Sequence, residues 1–338
     1  MILESLEIDP DVLARRTGWQ LKPVGACKGS VCVPMPRDVD ARLLAERLGM
    51  PLLEDRDHGL WVLGPETLTG RALSTPQAPE LVLPDFGGRD FALSSLRGQK
   101  VVLLSWASWC GCRFHLPAWQ ALRDELHPAG LELVTVALDF DVDSARPFVE
   151  AARLSGPALI DRAHVVDELL GIVNVPSSVW IDEQGMIVRP PEPAHITKSP
   201  ARLVRDGAFD GSHLEPAARN AVATLDYDHE QYLEAIHDWV RNGAASEWAL
   251  DQSAVIERAA HRGDAQARAA AHFELGTYLH QHGEPQAAAE HWQEAHRLHP
   301  SNWTYKRQVW QLAGTPMRWV PEFYELGGTR EFYPAMKR

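Results

Sequence analysis

No stretch of this chain approaches the roughly 18 consecutive apolar residues that a helix needs to cross a bilayer, so a membrane span is not expected. Basic charge is short as well. Lys and Arg total 33 against 46 Asp and Glu, and a net charge of -13 repels phosphate backbones and anionic headgroups, which argues against nucleic acid and membrane surfaces as partners. Cysteine is scarce, at 4 in 338 residues. That is too few for a disulfide scaffold, and closely spaced thiols in a reducing compartment point instead to redox chemistry or metal binding. The opening segment Met1 to Pro10 has acids and no positive n-region, unlike a signal peptide, which gives the cytoplasm as the expected location.

What is present is material for buried cores. The chain is 45% apolar and 23% charged, and its length suggests two or three domains at about 150 residues each. Asp9-Pro10 starts a helix that Gly18 stops, and a second helical pattern runs from Asp38 to Leu48 before Gly49; the rest of this segment reads as loop and hairpin. The cluster Ser74-Thr75-Pro76-Gln77-Ala78-Pro79 has linker composition. Beyond it, apolar runs at Val101 to Trp106, Leu131 to Leu138 and Ser177 to Asp182 alternate with helical windows at Cys112 to His127, Ser144 to Ser155 and Ala163 to Gly171. This is α/β patterning with a sheet covered on both faces. After Arg189-Pro190-Pro191-Glu192-Pro193 no strand signal returns. The expected division is a small N-terminal domain over 1–75, an α/β domain over 76–198 and an α-helical domain over 199–338.

In the helical part, Leu275-Gly276, Leu279, Ala288, Trp292, Ala295 and Pro300 fall at the offsets of a tetratricopeptide-like helix pair. Gly276 and Ala288 would permit close crossing, with Leu275 and Trp292 filling the interface. Since about three repeats are needed for a self-supporting stack, these helices either pack on their own α/β neighbour or hold a partner protein. Trp303, Tyr305 and Trp310 lie at helical spacing and read as core packing.

The chemistry concentrates in Trp106-Ala107-Ser108-Trp109-Cys110-Gly111-Cys112-Arg113, where an apolar strand hands over to a helix. A thiol at a helix N-terminus meets unpaired N–H groups and the positive end of the dipole, both of which favour the thiolate. Cys110 is therefore the candidate nucleophile, with Trp106 and Trp109 walling it. A free cysteine is often only a small buried hydrophobe, but two of them flanking a glycine at such a turn speak against that reading.

The stretch Leu83-Pro-Asp-Phe86, Gly87-Gly88, Phe91-Ala-Leu-Ser94, Leu96-Arg-Gly98, Val101 to Trp106 and Trp-Cys-Gly-Cys-Arg resembles the redoxin branch of the thioredoxin superfamily, the TlpA-like or ResA-like proteins, from near Ala78 to Arg189. The resemblance implies a thioredoxin fold. Family members read Trp-Cys-x-x-Cys with a proline five residues after the second cysteine, which kinks the active-site helix. Pro117 lies five after Cys112, so Cys112 matches the resolving cysteine, and the turn before it is one residue short. By the same resemblance Val175-Pro176 is the cis-proline bond facing the thiols, and the backbone of Val175 pairs with an extended substrate next to Trp109, Cys110 and Gly111. Relatives with a Trp-Ala-x-x-Sec-Gly-Cys motif, and glutathione peroxidases, likewise make the position of Cys110 the attacking atom.

A disulfide between positions i and i+2 closes a small ring that departs from preferred geometry. Strain on the order of 1 to 3 kcal/mol makes the couple roughly 20 to 60 mV more oxidising, which predicts a weak reductant suited to exchange, isomerisation or peroxide reduction. The buried acid that thioredoxins often carry in the strand before the motif is missing, since Leu103, Leu104 and Ser105 stand there. His115, one turn beyond Cys112, is either its replacement or a solvated helix residue.

Cys27 and Cys32 form a second pair in an N-terminal loop, readable as a redox relay or as a compact loop clasp. A four-cysteine metal site is a third reading, weakened because both spacings depart from C-x2-C. Asp139, Asp141 and Asp143 lack the glycine and glutamate of an EF-hand and read as a loop entering a helix.

The functional expectation is a thiol-disulfide oxidoreductase without cofactor or metal, acting on a protein or small-molecule disulfide and recharged by a thiol donor. A thiol peroxidase using Cys110 is the first alternative, although Leu103 and Ala107 break the peroxiredoxin Pro-x3-Thr-x2-Cys pattern. The second is a non-catalytic adaptor whose thiols hold a soft metal, with the C-terminal helices binding a protein.

Overall fold

The computed structural model describes residues 1–208, 210, 212, 219–220, 223–312 and 336. The N-terminal part opens with β1 (Ile2–Leu3) and α1 (Pro10–Thr17). Asp9 accepts the N–H groups of Asp11 and Val12, and Gly18 ends the helix at φ 76°, a left-handed turn open to glycine. β2 (Gln20–Lys22), β3 (Gly25–Lys28) and β4 (Val31–Val33) make an antiparallel sheet. After α2 (Ala41–Leu48), the hairpin of β5 (Leu52–Asp55) and β6 (Leu60–Leu63) pairs with β1.

The proline-rich stretch near residue 76 is bonded rather than slack. Pro76 accepts the Ile187 N–H, and Ala78 donates to Gly185. A short hairpin, β7 (Val82–Pro84) and β8 (Asp90–Ala92), follows. Then come β9 (Lys100–Trp106), α3 (Leu116–Leu126), β10 (Leu131–Ala137), α4 (Val142–Ala152), β11 (Ala158–Ile160), α5 (Val165–Leu170), β12 (Ser177–Ile181) and β13 (Ile187–Pro193). The sheet order is β11-β10-β9-β12-β13, with β9, β10 and β11 parallel and β12 antiparallel to both neighbours. Every residue of β9 and β10 is buried, Lys100, Ser105, Glu132 and Thr135 among them, which is why apolar residues dominate both. β13 had no strand signal because it contains Pro190, Pro191 and Pro193; it is an edge strand, where missing N–H donors do no harm.

The helices that follow are α6 (Pro200–Arg205), α7 (His229–Asn242), α8 (Gln252–Arg258), α9 (Asp264–Gln281), α10 (Pro285–Leu298) and α11 (Trp303–Leu312). The first large core runs from Leu73 to Ala259, so α7 and α8 share the interior of the sheet. Trp239 of α7 stacks on Trp180 of β12 at 5.0 Å, and Trp180 Nε1 donates to the Tyr232 hydroxyl. A second core joins Leu53, Leu60 and Val62 of the N-terminal hairpin to Phe273, Leu275 and Trp292 of α9 and α10. A methyl on Gly276 would come within 2.7 Å of Trp292 Cδ1 and 2.9 Å of the Ala288 carbonyl oxygen, so glycine is required for this crossing. Buried Arg262 donates to the carbonyls of Ala72, Asp167 and Glu168 at the seam. Among the described residues no helix is long and apolar enough to cross a membrane.

Candidate redox site

β9 ends at Trp106, and the chain turns as Cys110 N–H bonds back to the Ala107 carbonyl. Cys110 is extended (φ -97°, ψ 139°) and leads into a 3-10 turn over Gly111–His115. The expected α-helix from Cys112 begins only at Leu116, because Pro117 fits the first turn, where its absent N–H is not missed. Pro117 thus starts this helix instead of kinking it. The helix-terminus argument for the thiolate is corrected accordingly: the backbone donor that reaches the sulfur is local, with Cys112 N–H 3.2 Å from Cys110 Sγ.

The two sulfurs of Cys110 and Cys112 are in disulfide contact. Cys110 Sγ lies 3.6 Å from the Val175 carbonyl oxygen, and the Val175–Pro176 peptide bond is cis. Trp109, Cys110, Cys112, Val175 and Pro176 thus come together as one buried group, with Gly111 on the open side. Each cysteine is only 6% exposed, which decides that the sulfurs are screened rather than displayed. The Val175 N–H is held by Asn174 Oδ1, so its carbonyl is the group left to meet a substrate.

Sequence reasoning read Asp139 only as part of a loop entering a helix. The parallel register sets Ala137 beside Trp106, which brings Asp139 level with Ser108. Wholly buried, Asp139 accepts the Ser108 N–H at 2.8 Å and its hydroxyl, and a Gln311 side-chain hydrogen bond reaches it from α11. Burial pushes its pKa up to about 6. A buried acid therefore reaches Ser108, two residues before Cys110, from the segment that follows the neighbouring strand, and pairing an apolar run ending at Leu138 with one ending at Trp106 was the available signal. Arg113 completes the clamp by donating to the carbonyls of Ser108 and Cys110 at 2.8 and 3.2 Å. Phe114 beside it is 66% exposed and meets Phe148 edge-on.

His115 is half-buried, and burial lowers its pKa, so the ring is neutral at pH 7. Asp141 caps α4 by accepting the Asp143 N–H. Cys27 and Cys32 face each other across β3 and β4 as a disulfide, with Cys32 exposed. Their hairpin turn at Gly29 abuts Thr75 and Gln77, and Gln77 bridges Met186 beside the Ile181–Val101 end of the sheet. Cys110 follows the other end, and the rise from Val101 to Trp106 alone is about 17 Å. The four sulfurs do not form one set, which removes the four-cysteine metal reading. Among the described residues no group of three or more His, Cys, Asp or Glu could hold a metal ion.

Strand order, cysteine pair and cis-proline define a thioredoxin-superfamily domain built around a two-cysteine redox centre. Residues 75–189 match the AhpC/TSA family. The chain is 32% identical over 114 residues to the thiol-disulfide oxidoreductase ResA of Halalkalibacterium halodurans, covering 33% of this chain and 65% of that one. It is 31% identical over 117 residues to the thioredoxin-like protein YneN of Bacillus subtilis, covering 33% and 66%. Among solved structures, a thiol-disulfide oxidoreductase from Bacteroides fragilis is 21% identical with a TM-score of 0.31, covering 33% of this chain and 87% of that one. The chain spans just under two thirds of the length of its ResA relatives, 66% for that of Bacillus thuringiensis. The similarity is confined to its middle third, which is ResA-like.

Proposed function

We propose that this chain is a thiol-disulfide oxidoreductase working at Cys110 and Cys112. The observation that carries this reading is the sulfur pair in mutual contact, with Cys110 Sγ 3.6 Å from the carbonyl that precedes the cis-proline. In the reduced protein the Cys110 thiolate, stabilised by the Cys112 N–H, attacks a substrate disulfide and expels one thiolate. Cys112 then attacks Cys110 Sγ, releasing the second thiolate and closing the intramolecular disulfide. A thiol donor, one dithiol or two monothiols, must return the two electrons. The packing of α9 and α10 on β5 and β6 favours a structural role for the helix pair over a docking role.

Reduction of a model disulfide tests the proposal. Cys110→Ser is expected to abolish turnover, and Cys112→Ser to stall a mixed disulfide visible as added mass. Turnover surviving in Cys110→Ser refutes the assignment.

A further inference from the structure

Nothing in the sequence pattern connects residues beyond 300 with the redox chemistry, yet α11 lies against the site at several points. Trp303, Arg307 and Gln311 recur every fourth residue on one face, with Thr304 and Gln308 beside them. At the start of the helix the N–H groups of Trp303 and Thr304 donate to the Val173 carbonyl, two residues before Val175. One turn on, the Arg307 guanidinium sits 5.5 Å over the Trp109 ring. Gln308 Oε1 accepts the Phe140 N–H at 3.1 Å, and Gln311 bonds Asp139. From Trp303 to Arg307 the helix rises about 6 Å, which spans from the loop before the cis-proline to the tryptophan before the nucleophile.

The helix is firmly seated. Tyr305 stacks on Phe273 at 4.0 Å, its hydroxyl bonds Asp167, and Asn302 Nδ2 donates to the same carboxylate. A protein substrate has to lay an extended segment along both the cis-proline loop and the motif flank, as main-chain recognition at an edge requires. Both walls are here tied to one helix, and both sulfurs are screened. A disulfide whose two halves are small does not have to lie along those two walls.

Resting on the thiol-disulfide reading above, we propose that α11 is the specificity-determining element of the redox site, admitting low-molecular-weight disulfides and holding back the disulfides of folded proteins. The stoichiometry is that of exchange. The protein dithiol gives two electrons to RSSR, the S–S bond of RSSR breaks as that of Cys110–Cys112 forms, and two RS⁻ leave with the two thiol protons.

The test uses the reduced full-length protein in single turnover, so that no donor enters, with 2-hydroxyethyl disulfide and insulin as probes. The R307A/Q308A variant removes the contacts to Trp109 and Phe140. It is expected to speed insulin reduction by at least roughly tenfold while leaving the small disulfide within about twofold, as loosening a local element should. Equal changes on both probes, or an unaltered chain that already reduces insulin as fast as the small disulfide, overturns the proposal. Alkylation of Cys110 by iodoacetamide against a polymer-linked maleimide gives a readout independent of turnover. If neither disulfide reacts but R307A/Q308A narrows the gap between the two reagents, the exchange reading fails and the screening role of α11 stands. An unchanged gap refutes the screening role.

Discussion

Replacing Asp139 by Asn should stabilise the chain at neutral pH and have no effect near pH 4. The carboxyl is wholly buried, and burial lifts its pKa from 3.8 to about 6, against the opposing pull of the Ser108 and Gln311 hydrogen bonds. A folded pKa above the unfolded one means that the native state holds its proton more tightly. Stability from this group is therefore complete below about pH 4 and is lost as pH rises through about 6. Two units at 1.36 kcal/mol each put the cost of ionising Asp139 in place at about 3 kcal/mol. Asparagine keeps the shape, with Oδ1 accepting the Ser108 N–H and Nδ2 donating to its hydroxyl oxygen. Denaturant unfolding of both proteins at pH 7.5 and pH 4 should show a gain of about 2 to 3 kcal/mol for D139N at the higher pH and none at the lower. If D139N instead loses the same stability at both pH values, the hydrogen bonds to Ser108 outweigh the charge and the reasoning is wrong.

Gly276→Ala should destabilise the α9–α10 hairpin by about 1 to 2 kcal/mol in thermal unfolding, because overpacking against the Ala288 carbonyl exceeds the roughly 1 kcal/mol that alanine gains in a helix. Lys28→Met should cost roughly 3 to 5 kcal/mol by taking the ion-pair partner from the buried Glu66 carboxylate, and adding Glu66→Gln should recover most of it, as read by denaturant midpoint. The Cys27→Ser, Cys32→Ser double variant should leave Cys110-dependent disulfide reduction within about twofold, since the two pairs sit at opposite ends of the sheet.

Local signals carried most of what the sequence disclosed. Asp9-Pro10 and Gly18 bounded α1 because capping is decided within one turn, and β9 and β10 announced themselves by burial on both faces. The cysteine pair was legible because a thiol chemistry motif is contiguous. What escaped were features set by distant partners. β13 is a strand only because β12 supplies a neighbour on one side, and three prolines hide that from any local rule. Asp139 matters through the register of β10 against β9, and Arg307 through a contact nearly 200 positions from Trp109.

The same long-range wiring bears on how the redox domain holds together. Trp180 is fully buried, and its covering faces are Trp239 and Tyr232 of α7 together with the Arg189 guanidinium at 5.6 Å. Arg189 in turn pairs with Glu192 and donates to the Trp248 carbonyl, so one of its hydrogen bonds depends on the segment after α7. A fragment ending at residue 198 would open the Trp180 face to water, expose an aromatic surface of the size that dominates core energetics, and remove a hydrogen-bond acceptor from a buried cation. The sheet that positions Cys110 is therefore stabilised by helices that the redoxin match does not include. Mutations in α7 should weaken the redox domain's thermal stability without touching a residue near the sulfurs.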